Sequence, residues 1–69
     1  EQRIRELVQK MPQRRREIFN MSRTEKLSNL EIARRLGLSV RTVEKHIELA
    51  LSDLRKGLTI SVAMLIMLI

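Results

Sequence analysis

Apolar side chains recur at intervals of three and four residues along most of the 69-residue chain, the spacing that places them on one face of an α-helix. The first stripe comprises Ile4, Leu7, Val8 and Met11. Because proline lacks an N–H and suits the first turn of a helix, Pro12 predicts a break after Met11 and a second helix beyond it. The apolar residues that the second helix is expected to turn inward are Ile18, Phe19 and Met21.

Start and stop signals frame the next helix. In SNLEIARRLG, residues 28–37, Ser28 is a candidate N-cap and Glu31 lies three residues on, which is the spacing of a capping box. Gly37 is a candidate stop, because glycine adopts at little cost the left-handed conformation that ends many helices. Ser39 then predicts the N-cap of a further helix.

That further helix has an apolar side and a polar side. The apolar side is formed by Val40, Val43, Ile47, Ala50 or Leu51, and Leu54, and the polar side by Arg41, Thr42, Glu44, Lys45 and Glu48. Two helices joined by about three residues with a glycine in the turn are typical of a helix-turn-helix, and the small Ala33 permits a close crossing. Because an α-helix fits the DNA major groove and contacts bases through its N-terminal residues, the polar side is expected to read base pairs.

These patterns predict an all-α fold, a small bundle of about four helices that contains a helix-turn-helix. The helices are expected over residues 2–10, 12–25, 28–36 and 40–56, so that residues 1–56 form the domain and residues 57–69 an apolar C-terminal tail. The residues expected to be buried together are Ile18, Phe19, Ile32, Ala33, Leu36, Leu38, Val43 and Ile47.

Charge points to an anionic partner. Fourteen Lys and Arg face eight Asp and Glu, which gives a net charge of +6 and a pI near 11.2. That balance favours nucleic acid or an acidic membrane surface. The chain has no cysteine, and the single histidine, His46, cannot hold a metal ion alone. With no nucleophile–base pair and no glycine-rich phosphate loop either, we expect no enzyme activity, metal, cofactor or small-molecule substrate.

The tail, LTISVAMLIMLI, has no charged residue and is apolar nearly all round a helix. Its 12 residues are too few to span a bilayer, which takes about 20. So much exposed apolar area is unusual for a soluble monomer, which predicts burial against the domain, another copy, a partner protein or a membrane. We expect the helix to continue beyond Gly57 and to pack on the domain or between copies.

Residues 11–56 resemble the C-terminal, region-four domain of bacterial sigma factors, in particular the extracytoplasmic-function group of the Bacteroidetes type. The features that carry the resemblance are the Met11-Pro12 step, EIA at residues 31–33, the LG and Ser of residues 36–39, TVE at residues 42–44 and the AL..LR ending over residues 50–55. Lys26 stands where many members have glycine, so the loop before Leu27 is expected to differ in shape.

The resemblance implies recognition of the promoter −35 element during transcription initiation, with double-stranded promoter DNA and the RNA polymerase core as partners in the bacterial cytoplasm. It implies base reading by Arg41, Thr42, Glu44 and Lys45. It implies contact with the DNA backbone by Arg34, Arg35, Ser39, His46, Arg14 and Arg15. An anti-sigma factor is a further expected partner, and the tail is expected to contribute to self-association.

Two other functions fit part of the sequence. Residues 28–46 also resemble the LuxR-type DNA-binding effector domains of transcriptional regulators, although the Pro12 step and the AL..LR ending favour a sigma factor. A module that binds protein or a membrane surface through the apolar tail and the basic face is the third interpretation.

Overall fold

The computed structural model of the chain describes the backbone of residues 2–68 and the side chains of residues 2–58, 66 and 67. This part of the chain forms four helices and no strand, which confirms the all-α prediction. The helices are α1 (Gln2–Gln9), α2 (Gln13–Arg23), α3 (Asn29–Leu36) and α4 (Val40–Leu68). Pro12 is the residue before α2, so the two helices are separated where the proline predicts it.

The core consists of two apolar clusters that share α4. The first joins α2, α3 and α4 and is formed by Ile18, Met21, Ile32, Ala33 and Val43, with Leu27, Leu36, Leu38, Val40 and Ile47 packed around it. The second joins α1, α2 and α4 and is formed by Val8, Met11, Phe19 and Ala50, with Leu54 beside it. The first cluster therefore holds the helix-turn-helix together, and the second cluster packs α1 against α2 and α4.

The predicted core needs two corrections. Phe19 is buried, but in the second cluster, because neighbouring residues on a helix point about 100° apart and Ile18 already faces the first. Leu36, Leu38 and Ile47 are only partly buried at the edge of the first cluster. Thus α2 lies between the two clusters and contributes Ile18 and Met21 to the first and Phe19 to the second.

Helix α4 has 29 residues and runs without a break through Gly57. A Cβ on Gly57 would collide with the side chain of Leu7, so glycine lets α1 approach α4 at that point. The expected continuation of the helix beyond Gly57 is confirmed. The division of the chain between residues 56 and 57 stays a prediction.

The tail does not pack on the domain at the side chains that are described. Ile66 is 67% exposed and Met67 is 86% exposed, which does not support packing on the domain at these two residues and leaves the other expected settings, another copy, a partner or a membrane, as predictions. With no turn after Gly57, the straight helix carries these residues away from the core. No helix within residues 2–68 is long and apolar enough to cross a bilayer.

The loop before Leu27 contains a lysine in a backbone conformation that favours glycine. Lys26 has φ of 57°, in the left-handed region. The backbone at Lys26 therefore takes the shape that a glycine adopts readily. The N–H of Leu27 donates to the carbonyl of Met21 at 3.1 Å just after it, which ties the loop to α2.

Replacing Lys26 by glycine should raise the free energy of unfolding by about 1 kcal/mol, because a left-handed backbone costs a residue with a Cβ about that much more than glycine. Urea denaturation monitored by circular dichroism measures the change. Lys26→Ala is the matched control, since it removes the same charge and keeps the Cβ. Equal stabilisation by both variants would assign the effect to charge and contradict the backbone explanation.

Candidate nucleic-acid interface

The start of α3 is held by a complete capping box, as the sequence predicts. The hydroxyl of Ser28 accepts a hydrogen bond from the N–H of Glu31 at 3.1 Å, and the carboxylate of Glu31 accepts one from the N–H of Ser28 at 3.0 Å. The bond from the Ser28 N–H favours the ionised carboxylate and, together with the Ser28 hydroxyl, lowers the pKa of Glu31. Two backbone donors that α3 leaves free at its start are thereby satisfied.

The turn between α3 and α4 has the left-handed geometry that Gly37 predicts. Gly37 has φ of 67° and ψ of 34°, and its N–H donates to the carbonyl of Ala33. The N–H of Leu38 donates to the same carbonyl at 2.9 Å, and the Leu38 side chain packs against the first cluster. The turn is closed by hydrogen bonds at the end of α3 and anchored by an apolar side chain.

Ser39 caps α4 and engages one of the predicted base-reading residues. Its hydroxyl accepts a hydrogen bond from the N–H of Thr42 at 3.1 Å and lies 2.9 Å from the Thr42 hydroxyl. The cap confirms Ser39 as the N-terminal signal of α4. It also turns the Thr42 hydroxyl toward the cap, so this side chain helps to fix the direction of the first turn.

The crossing of α3 and α4 is packed closely. Ala33 is 4% exposed and Val43 is fully buried, and both belong to the first cluster. Ala33 has the smallest side chain of that cluster, and little room is left there for a larger one where α2, α3 and α4 pack together. Packing and turn together determine which side of α4 is left uncovered.

The uncovered side of α4 carries the charged residues that the sequence places there. Arg41, Glu44, Lys45 and Glu48 are all exposed. Within the described part of the chain, neither Arg41 nor Lys45 forms an ion pair, and neither does Glu44. Two cations and a carboxylate are therefore available to an outside partner over one turn of helix.

Arg34 and Arg35 are exposed in the last turn of α3, directly before the turn that leads into this surface. Arg35 lies 3.5 Å from the carboxylate of Glu25, and both side chains are more than half exposed. A pair so open to water adds little stability and leaves the guanidinium free to exchange its partner for another anion.

The arginines of α2 are engaged within the domain. Arg14 pairs with Glu17 at 3.0 Å on the surface, and Arg16 donates to the carbonyl of Gln9 at 3.2 Å. Arg15 pairs with Asp53 at 2.5 Å and its side chain is only 20% exposed. Asp53 lies 12 residues beyond Arg41, about 18 Å along α4, so this pair joins α2 to α4 well away from the first turns.

His46 is partly buried on α4. Its Nδ1 atom is buried and has no hydrogen-bond partner in the described part of the chain. The ring therefore lies against the domain with Nδ1 inward, beside the exposed side of α4 and not at its centre. Its predicted contact with the DNA backbone would have to come through the other ring nitrogen, Nε2.

A second surface is a groove of about 440 Å³ between α1 and α2. The sequence had not indicated which residues would line it. It is lined by Ile4, Arg5, Val8, Gln9, Phe19, Asn20, Arg23 and Thr24. Arg23 lies over the ring of Phe19 with its guanidinium carbon 5.9 Å from the centroid. The four-residue spacings of Ile4 with Val8 and of Phe19 with Arg23 are the sequence signal that would have indicated it.

Residues 1–54 match the model of the family described as Sigma-70, region 4, which is more than three quarters of the chain. No curated protein and no solved structure matches. Domains of this family bind the −35 promoter element in RNA polymerase sigma factors, and the match decides between the two DNA-binding families that the sequence resembles. The chain belongs to the Sigma-70, region 4 family and is a promoter-binding domain of a sigma factor.

Proposed function

We propose that the first turns of α4 enter the major groove of the −35 element and that Arg41, Thr42, Glu44 and Lys45 are the residues that meet the bases. The observation that carries this proposal is the exposed side of α4, where Arg41 and Lys45 have no ion-pair partner within the described residues. Cations left unpaired at the N-terminal end of a helix suit the base edges that a recognition helix contacts.

The four residues have different parts in this proposal. Arg41 and Lys45 donate to acceptor atoms of guanine, and Arg41 has the geometry for a bidentate contact. Glu44 accepts from the amino group of cytosine, a role supported by the lack of an ion pair with either neighbour within the described residues. Thr42 orients the turn through its bond with Ser39 and presents its methyl group to the DNA.

The residues proposed to contact the DNA backbone differ in how far the domain already engages them. Arg34 and Arg35 are exposed beside the turn, and Ser39 lies within it, so these three suit phosphates that flank the groove. Arg14 is exposed but shared with Glu17, and Arg15 would have to leave Asp53. His46 would contact a phosphate through Nε2. Arg34 and Arg35 are therefore the main phosphate contacts of the proposal.

Replacing Arg35 by alanine should weaken binding to every duplex by the same factor and reduce the slope of log affinity against log salt by about 0.9, the effect of one lost phosphate contact. The measurement is a titration of the chain onto a duplex selected from a randomised −35 pool and onto a scrambled duplex, at several salt concentrations.

Arg3→Ala is the matched control for Arg35→Ala. Arg3 is an exposed arginine with only a distant surface pair, 3.9 Å from Glu6, and it lies in α1. The control should change neither the affinity nor the salt slope. A loss with Arg35→Ala that is confined to the selected duplex would contradict a backbone role.

The partners follow from the family. Promoter DNA and the RNA polymerase core are the partners of a sigma region-four domain. We place the chain more finely in the extracytoplasmic-function group of the Bacteroidetes type, acting in the bacterial cytoplasm. The groove between α1 and α2 suits the flap element of the polymerase, which the sigma resemblance implies, and an anti-sigma factor could act by covering the same groove. Self-association through the tail stays a prediction, and it competes with the occupant argued next.

A further inference from the structure

The C-terminal end of α4 is an apolar helix that extends beyond the domain. Residues 58–68 form 11 residues of α4, about 16 Å of helix, and contain no charged residue. Leu58 is 38% exposed, Ile66 67% and Met67 86%. The family match ends at residue 54, so this segment lies outside the matched residues.

The exposed side chains lie on more than one face of this helix. Ile66 and Met67 are neighbours, about 100° apart around the axis, and both are open to solvent. From residue 62 onward every residue is apolar, so apolar positions are found all the way round the helix axis. A helix that is apolar all round is stabilised by surroundings that enclose it, whereas pairing with one second helix covers a single stripe.

The charge where this segment leaves the domain is positive. Arg55 and Lys56 are exposed just before the apolar residues begin. Lys10 and Lys56 line one groove with Leu7, Met11, Pro12, Arg15 and Asp53, and the carboxylate in that groove, Asp53, is paired with Arg15. Cations therefore surround the base of the apolar helix, which is the arrangement that anionic lipid headgroups attract.

We propose that residues 58–68 insert into the surface of an anionic membrane, with Lys10, Arg55 and Lys56 at the headgroups. Sixteen ångströms of helix reaches about halfway through a hydrocarbon core of about 30 Å, so the segment anchors the domain without crossing the bilayer. The first turns of α4 lie about 20 Å from Arg55 along the same helix and stay clear of the lipid. The membrane contact and the promoter surface are at opposite ends of α4.

The test is co-flotation of the whole chain with vesicles of phosphatidylglycerol and with vesicles of neutral phosphatidylcholine. The chain should associate with the anionic vesicles. The double variant Ile66→Gln, Met67→Gln should associate at least tenfold more weakly, because two large apolar side chains no longer leave water. Leu30→Gln, which changes a 49% exposed leucine on α3, is the control and should stay within twofold of the parent.

A matched pair of lysines tests the headgroup contact. Lys56→Gln should weaken association with anionic vesicles about fivefold, the effect of one cation at a charged surface. Lys26→Gln removes the same charge from the loop before α3 and should change it less than twofold. Circular dichroism confirms that each variant keeps its helix content.

Three results would overturn the proposal. The parent chain could fail to float with anionic vesicles, or the double variant could float as well as the parent. In the third, sedimentation velocity without lipid shows that the parent chain is a dimer and that the double variant is a monomer. The apolar helix would then be covered by a second copy of this chain.

Discussion

Replacing Arg41 by alanine should cost about 1–3 kcal/mol of binding to the selected −35 duplex, a loss of roughly five- to 150-fold in affinity. Arg41 is exposed in the first turns of α4 and has no ion pair within the described residues, so nothing in the domain needs to be broken for it to contact a base. A bidentate contact with one guanine predicts that the preference at one base pair is lost while the others are kept.

The assay is a competition among single-base-pair variants of the selected duplex, performed with the chain alone and with polymerase holoenzyme that contains the factor. Arg3→Ala, on α1, is again the control for loss of an exposed arginine. If Arg41→Ala lowers the affinity for matched and mismatched duplexes equally, Arg41 contacts phosphate and the proposed base reading by this residue is wrong.

Replacing Ala33 by leucine should lower the free energy of unfolding by about 1–3 kcal/mol. Ala33 is 4% exposed at the crossing of α3 and α4, in contact with a cluster that includes Ile18, Ile32 and Val43, each of which is fully buried. Three added carbon atoms can be accommodated only by moving the helices apart. For a domain of this size each kcal/mol lowers the melting temperature by about 4–8 °C.

Ala50→Leu separates the helix crossing from general loss of stability. Ala50 is also fully buried, but in the second cluster, with Val8, Met11 and Phe19. Both variants should melt earlier, whereas only Ala33→Leu should reduce discrimination between matched and mismatched duplexes at temperatures where the protein is folded. A thermal melt of Ala33→Leu that is unchanged, or equal loss of discrimination in both variants, would contradict the role assigned to the crossing.

Sequence-based prediction succeeded where the physical cause is local. The capping box of Ser28 and Glu31 and the cap of Ser39 join residues three positions apart, and Gly37 determines its own backbone angle. The break at Pro12 is local in the same sense. These short-range signals sufficed for four helices, for the helix-turn-helix and for the exposed side of α4 that carries Arg41.

It could not identify interactions between residues that only the folded chain brings together. The partner of Arg15 is Asp53, 38 positions away. From the sequence alone this arginine looks unpaired, because the pair forms only when α2 packs against α4. The left-handed backbone of Lys26 belongs to the loop in which the Leu27 N–H bonds to the Met21 carbonyl, and nothing in the lysine itself predicts it.

What the sequence by itself determined is therefore the set of helices, the turn that joins α3 to α4 and the chemistry of the exposed side of α4. The tertiary structure decided how those helices are shared between two clusters. Phe19 left the first cluster because Ile18 occupies it and the next residue on a helix points about 100° away. It also decided that Ile66 and Met67 stay exposed. Helix α4 packs against α1 at Gly57 and continues to Leu68 without a turn, and only contacts with residues far along the chain could have bent it back.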